Sequence, residues 1–294
     1  MQTFETPEPI AVTAELGVGD LRIAADDRID TVVDVRPSDP SKRADVIAAE
    51  ETRVEYANGR LLVRAPKGWR QWTPWGPFGH ESIDVRIDVP TGSSLSGQMG
   101  AGTMHATGRI GPCKFRTGVG DIRIDEAGSV ELRTGAGDII VDRVDGAAEV
   151  TTGSGAVEIA SVDGRAVVKN GNGETWIGEV AGEARVNGAN GRISIDHAHA
   201  GLVAKTANGN VRLGRVERGA VVAQSAFGKV EVGIADRVAA WLDLDTKFGT
   251  VQNDLDAAER PQASEETVEV HAQTSMGDIS IHRAASNGGG RKRS

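Results

Sequence analysis

Acid–base chemistry on a carbohydrate would need charged side chains that converge, and the sequence offers four candidates: Arg123, Asp142, Arg143 and Glu158. Polysaccharide lyases and hydrolases need several carboxylates, or a carboxylate beside Arg or Lys, on one face. Charged residues at outward positions of a strand normally face solvent, and these four fit that description. We therefore predict no catalytic residue and expect that the protein is not an enzyme.

Two further groups of residues carry atoms that could bind a metal ion. Asp121, Asp138 and Asp278 each follow a recurring glycine, as aspartates do in calcium-binding β-rolls. The sequence lacks the Gly-Gly-x-Gly-x-Asp pattern of those β-rolls, so these carboxylates are expected to cap turns or face solvent. His197 and His199 lie close in sequence, but a zinc site needs further ligands that the sequence does not indicate. No metal site and no cofactor are predicted.

The most unusual segment is 68–81, GWRQWTPWGPFGHE, which contains Trp69, Trp72, Trp75 and Phe78. Clustered aromatic rings on a Pro/Gly-rich loop can stack on sugars or bury in a partner's groove. The same loop could instead plug one end of the fold, form a self-association surface or insert at a membrane interface. We predict the four aromatic residues as candidate binding residues.

The charged and histidine candidates are positioned by a short repeat that recurs through most of the chain. Its signature is Gly-x-Gly or x-x-Gly followed by alternating apolar residues, with shared glycines at positions 102, 120, 137, 155, 173, 191, 209, 228, 249 and 277. Apolar residues alternate on both sides of each glycine, which is typical of half-buried strands. The predicted fold is all-β: a β-solenoid of about ten 17–21-residue coils, with two parallel sheets facing across a thin core.

Two columns of the repeat are predicted to form ladders. The residue before the shared glycine is asparagine at Asn172, Asn190 and Asn208, and stacked amides can bond to the copies above and below. The column continues with Phe227 and Phe248, which we expect to stack as a pair. Three residues before the glycine, Thr or Ser recurs and predicts a column of hydroxyl groups.

The first third of the chain does not follow this period, although it contains six predicted strands. Asn58-Gly59 between two apolar runs predicts a hairpin, and residues 40–51 predict a short helix or a loop. A copy of the signature at Gly17–Ile23 is expected to lie outside the array.

Three regions follow from this division. Because the first coil of a solenoid needs a cap, residues 1–93 are predicted to form a β-rich N-terminal cap. Residues 94–284 are predicted to form the β-solenoid repeat domain, and the Gly-rich, basic residues 285–294 are predicted to be a disordered tail.

Composition limits the function classes. The 294-residue chain has a net charge of −9, which disfavours a nucleic-acid partner because such binding needs basic patches. Its single cysteine, Cys113, permits no intramolecular disulfide. The sequence shows neither a signal peptide nor an apolar run as long as a membrane span, so we expect a cytoplasmic protein without an integral membrane segment.

The array over Ser94–His282 resembles the adhesin-like repeat domains of bacteria, the DUF4097-like β-strand repeat proteins. The resemblance is carried by the Gly-x-Gly-Asp-Ile motifs at Gly118–Ile122 and Gly135–Ile139, with looser copies around them. It implies the repeat architecture and an adhesin-like role, and it transfers no catalytic residues.

Three hypotheses for function follow. The leading one is a non-catalytic structural or binding solenoid, adhesin-like or a scaffold, that presents a repetitive surface to a protein or glycan partner. The second is a self-assembling, bactofilin-like cytoskeletal solenoid, because solenoid ends are unpaired strands. The third is a carbohydrate-active enzyme.

Overall fold

The structure is a computed structural model that describes residues 1–66, 81–255 and 267–284. The chain divides into two compact units, Met1–Ala156 and Val157–Ser294. Within each unit, strand–turn–strand coils lie side by side in parallel ladders. The predicted β-solenoid with an N-terminal β cap is therefore confirmed. The region boundaries predicted after residues 93 and 284 remain predictions.

The first unit contains, in chain order, β1 Gln2–Glu5, β2 Ala11–Val18, β3 Leu21–Asp26, β4 Asp30–Pro37, α1 Arg43–Glu51, β5 Arg53–Ala57, β6 Arg60–Arg64, β7 Ile83–Pro90, β8 Ser94–Ala101, β9 Met104–Val119, β10 Ile122–Ala136, β11 Ile139–Val144 and β12 Ala148–Ser154.

Two parallel ladders run through the first unit. One has the order β12, β10, β9, β8, β2 and β6. The other has the order β11, β10, β9, β3 and β7. Strands β9 and β10 are long enough to contribute to both ladders. Most of their inward side chains are apolar, with Thr117 and Thr134 as buried polar exceptions, and Phe115 is the largest of those that are fully buried.

The copy of the signature at Gly17–Ile23 lies within the array, so the prediction that it lies outside is wrong. Strands β2 and β3 stack directly on β8 and β9: the Gly19 amide donates to the Ala101 carbonyl at 3.0 Å, and the Leu21 amide to the Thr103 carbonyl at 2.9 Å. The physical reason is that stacking needs only the strand–turn–strand pattern. The chain supplies it from residues that lie far apart in sequence.

Antiparallel strands cap this unit. Strands β5 and β6 form the predicted hairpin, in which Asn58 and Gly59 adopt φ of 50° and 71°. Strand β4 pairs antiparallel with both β7 and β1, which ends the parallel pairing of the second ladder. The segment 40–51 contains the short helix α1.

The second unit contains β13 Val157–Val162, β14 Ala166–Asn172, β15 Thr175–Val180, β16 Ala184–Asn190, β17 Ile193–Ala198, β18 Leu202–Asn208, β19 Val211–Val216, β20 Gly219–Phe227, β21 Val230–Ile234, β22 Ala239–Phe248, β23 Val251–Asn253, β24 Thr267–Met276 and β25 Ile279–Arg283.

The order of coils in the second unit departs from chain order at its C-terminal part. One ladder runs β14, β16, β18, β20, β24 and β22, so β24 lies between β20 and β22. The other runs β13, β15, β17, β19, β21, β25 and β23. The coil that comes last in the sequence, formed by β24 and β25, thus lies in space between the coil of β20 and β21 and the coil of β22 and β23.

This insertion separates the predicted phenylalanine pair. Phe227 is in register with Met276, and Met276 with Phe248, so the prediction that the two rings stack directly is wrong. The physical reason is burial. Strand β24 contributes the fully buried Val268 and Val270, whereas β22 carries charged residues suited to an edge.

The turn column requires glycine. At Gly209, φ is 147°, and a Cβ atom there would lie 2.0 Å from the carbonyl oxygen of Gly191 in the adjacent coil. The predicted hydroxyl column is confirmed beside it: Ser225 Oγ donates to the Gly209 carbonyl at 2.8 Å, and Thr274 Oγ1 to the Gly228 carbonyl at 3.0 Å. These bonds satisfy turn carbonyls that strand pairing leaves over.

Candidate functional site

The asparagine column lies on the turn between the two ladders of the second unit. Asn190 Nδ2 donates to Asn172 Oδ1, and Asn208 Nδ2 donates to Asn190 Oδ1, each at 2.7 Å. Each amide is thus bonded to its neighbour along the column. Because the side chains bond to one another, they stabilise the stack of coils.

The same column continues as a ridge of three large apolar side chains, Phe227, Met276 and Phe248, on neighbouring strands. Their exposed fractions are 53%, 50% and 69%. A contiguous exposed apolar group of this kind is typical of an interaction surface, whereas single exposed apolar residues are ordinary. We call it the apolar ridge.

A free strand edge lies next to the ridge. Among the described residues, β22 pairs only with β24, and β23 only with β25. On β22, Trp241 is 71% exposed, and Asp243 and Asp245 also face outward. His271 on β24 contacts Asp243 and Glu269 at 3.0 Å each, and these carboxylates raise the pKa of His271 through hydrogen bonds.

A second candidate site is a cluster of histidines and carboxylates on an outer turn of the second unit. Glu179 and His197 are register partners on β15 and β17, and Arg215 on β19 follows in the same column. His199 comes just after His197 along the chain, and Glu217 comes just after Arg215. We call Glu179, His197, His199 and Glu217 the His/Glu cluster.

Short contacts connect the His/Glu cluster. His199 Nε2 lies 2.7 Å from Glu179 Oε1, and its Nδ1 lies 2.8 Å from Glu217 Oε2. His197 Nε2 lies 2.8 Å from Glu217 Oε1. The two imidazole rings have centroids 4.0 Å apart. Both nitrogens of one histidine and both oxygens of one carboxylate are therefore engaged.

Electrostatics follow from these contacts. Partial burial opposes ionisation of Glu217, but hydrogen bonds from His197 and His199 outweigh it and lower the Glu217 pKa to about 2. Burial alone would lower the pKa of His199, yet its bonds to Glu179 and Glu217 raise it on balance. At neutral pH the cluster therefore holds an ionised Glu217, and its carboxylates favour the protonated form of the His199 imidazole.

The sequence pattern could have revealed this cluster. Residues close to His197 and His199 in sequence do not indicate their partners, because the partners belong to adjacent coils. Glu179 precedes His197 by one repeat period, and Glu217 follows His199 by one repeat period, so stacking of the coils brings each carboxylate to an imidazole. The informative pattern is therefore the set of residues that lie one repeat period apart, and not the residues next to each histidine in sequence.

The aspartates after the turn glycines cap backbone amides, as predicted. Asp121 Oδ1 accepts from the Asp138 amide at 2.8 Å, and Asp138 Oδ1 accepts from the Ala156 amide at 2.7 Å. In the second unit, Asp278 Oδ1 accepts from the Thr250 amide at 2.8 Å. Each carboxylate therefore links one coil to the next.

Trp69, Trp72, Trp75 and Phe78 lie outside the described residues. Arg123, Asp142 and Arg143 belong to the first unit and Glu158 to the second, and Arg143 Nε forms a surface ion pair with Asp145 Oδ1 at 2.9 Å. No helix among the described residues is long and apolar enough to cross a membrane.

Stacked coils, a column of turn glycines and hydrogen-bonded ladders define a β-strand repeat protein. The sequence profile of the Toastrack DUF4097 family matches residues 48–293, and the chain belongs to that family. No curated protein matches the chain. Among solved structures, one from Clostridium sporogenes ATCC 15579 described as a "putative cell adhesion protein" is similar at 11% identity and a TM-score of 0.32, covering 96% of this chain and 98% of its own.

Proposed function

We propose that this protein is a non-catalytic scaffold that binds a protein partner through the apolar ridge. The observation that carries the proposal is the exposure of 50–69% of Phe227, Met276 and Phe248 on neighbouring strands. Contiguous exposed apolar side chains gain free energy when a partner covers them. The ridge is held by paired strands, so little backbone conformational entropy is lost on binding.

A protein partner suits the ridge better than a glycan does. Phenylalanine and methionine offer apolar area without hydrogen-bonding groups, whereas a glycan site combines aromatic stacking with polar groups for the sugar hydroxyls. Both residue types are enriched at protein interfaces, and methionine adapts to varied partner surfaces. The experiment that tests the proposal therefore also measures glycan binding.

The carboxyl groups support a non-catalytic role. A general acid at neutral pH needs a raised carboxyl pKa. Among the described residues, the carboxyl pKa values that shift all move downward; they belong to Asp39, Glu131, Asp145, Glu217 and Asp278. These groups are therefore acceptors in turns and ion pairs rather than proton donors.

The proposal is tested with a random peptide library displayed on phage, using the full chain as bait. We expect selected peptides to bind, and Phe248→Ser to weaken that binding about tenfold or more because interface energy concentrates in large buried side chains. Val119→Ser is the matched control, since Val119 is 58% exposed at the same repeat position in the first unit. A glycan array is run in parallel.

Two results would contradict a protein-binding ridge. One is the absence of selected peptides together with glycan binding that Phe248→Ser abolishes. The other is peptide binding that Phe248→Ser and Val119→Ser weaken equally.

Self-association is a second candidate function, favoured by the free edge of β22 and β23 among the described residues. An unpaired strand edge can accept a strand of another copy. Asp243 and Asp245 oppose this pairing by like-charge repulsion, whereas the exposed Trp241 favours it.

Light scattering after size-exclusion chromatography separates the two functions. Self-association predicts a molar mass that rises with protein concentration and returns to that of a monomer in Trp241→Glu. A monomer at every concentration would reject self-association and leave the apolar ridge for a foreign partner.

A further inference from the structure

We propose that the second unit binds a zinc ion at the His/Glu cluster, with Glu179, His197 and His199 as ligands and Glu217 as a positioning residue. The proposal does not depend on the apolar ridge. It rests on the convergence of two imidazoles and two carboxylates from three adjacent coils on one outer turn.

The three proposed ligands already lie close together. One ligand atom from each of Glu179, His197 and His199 lies within 4.8 Å of the others. Tetrahedral zinc has ligand bonds of about 2.0–2.2 Å, which places ligand atoms about 3.3–3.6 Å apart. The backbone fixes Glu179 and His197 on neighbouring strands, so rotation of part-exposed side chains is sufficient to close the site.

The donor set selects the class of metal. Two imidazole nitrogens and one carboxylate oxygen suit zinc and similar divalent transition metals, whereas calcium and magnesium prefer sites built of oxygen. Three protein ligands leave one tetrahedral position for water or for a group on another molecule.

Glu217 is better suited to orient a ligand than to bind the metal. Its Oε2 lies 2.8 Å from His199 Nδ1, and its Oε1 lies 3.3 Å from Nε of Arg215. A carboxylate that accepts the Nδ1 proton fixes the histidine tautomer and turns Nε2 toward the metal, as in many zinc sites. His199 Nε2 faces Glu179 at 2.7 Å, which places the two ligands on the same side.

Two arginine side chains next to the His/Glu cluster partly offset the negative charge of its carboxylates. Arg215 pairs with Glu217, and Arg218 Nε donates to the His199 carbonyl at 3.0 Å. With neutral imidazoles, the two carboxylates offset the charge of a divalent ion, and Arg215 forms an ion pair with Glu217. A protonated histidine between two carboxylates would use the same atoms without a metal, so protons and zinc compete for the cluster.

The test is zinc titration of the metal-stripped full chain at neutral pH, in competition with a chromophoric zinc chelator. We expect a single equivalent to bind, with affinity reduced about 10–100-fold in Glu217→Gln because positioning carboxylates have effects of that size. His199→Ala, which removes a ligand, is expected to lose more. Cobalt substitution should give the visible absorption of a tetrahedral site in the wild type and not in His199→Ala.

His271→Ala is the matched control, because His271 also lies between two carboxylates but belongs to no group of three or more possible metal ligands among the described residues. It should bind zinc like the wild type. Thermal melts without metal verify that each variant folds, and zinc should raise the melting temperature of the wild type but not of His199→Ala. Absence of stoichiometric binding, or equal loss in His199→Ala and His271→Ala, would overturn the proposal.

Discussion

Cys113 lies on β9 inside the first unit and is only 2% exposed. Burial raises the pKa of its thiol to about 12, because the thiolate would be desolvated among apolar side chains. We therefore expect the native protein not to react with a thiol reagent at mildly alkaline pH, whereas the urea-unfolded chain should react with one thiol. The measurement is the time course of a chromogenic disulfide reagent.

The raised pKa of the Cys113 thiol makes the stability of the folded protein depend on pH. The folded-state pKa lies above the unfolded value of 9.0, so the protonated thiol favours the folded state below pH 9. This stability is lost progressively as pH rises from 9 toward 12. A Cys113→Ala variant should lack that part of the alkaline loss. Rapid labelling of the native protein would contradict the buried thiol.

At the scale of one strand or turn, the glycine column makes a sharper prediction. Gly209 has a φ of 147°, and a Cβ atom added to it would lie only 2.0 Å from the Gly191 carbonyl oxygen. We expect Gly209→Ala to lower the free energy of unfolding by about 3 kcal/mol or more, because strain and overlap add. Chemical denaturation followed by circular dichroism measures the effect.

Gly188 is the matched control for that substitution. It lies on β16 in a neighbouring coil, and the nearest atom to an added Cβ is Thr206 Oγ1 at 3.4 Å, which is ordinary contact. Gly188→Ala should therefore change stability by less than about 1 kcal/mol. Equal destabilisation by both substitutions would show that the turn glycines have no special role.

Local pattern predicted most elements but not how they pair over long distances. Alternation and the repeat period located the strands of the array, and Asn58-Gly59 located the hairpin, because these signals depend on neighbouring residues. The stacking of Gly17–Ile23 on β8 and β9 depends on where the chain returns, which no local signal specifies. For the same reason the His/Glu cluster required comparison of successive coils.

At the scale of the molecule, the insertion of β24 between β20 and β22 decides which residues form the core. In chain order, Leu242 on β22 would be internal and Val270 on β24 would be at the edge. The structure reverses this: Val270 is fully buried, whereas Leu242 is only half-buried.

The two strand orders therefore predict opposite rankings of two substitutions. With β24 inserted, Val270→Ala should lower the free energy of unfolding by about 2 kcal/mol, because it removes buried methyl groups and leaves a cavity. Leu242→Ala removes more carbon atoms, yet it should cost about 1 kcal/mol or less because its side chain is part-exposed. Urea denaturation of the two full-length variants gives the ranking. A larger loss of unfolding free energy in Leu242→Ala than in Val270→Ala would show that the coils stack in chain order. Amide hydrogen exchange gives an independent test, because chain order predicts slower exchange in β22 than in β24.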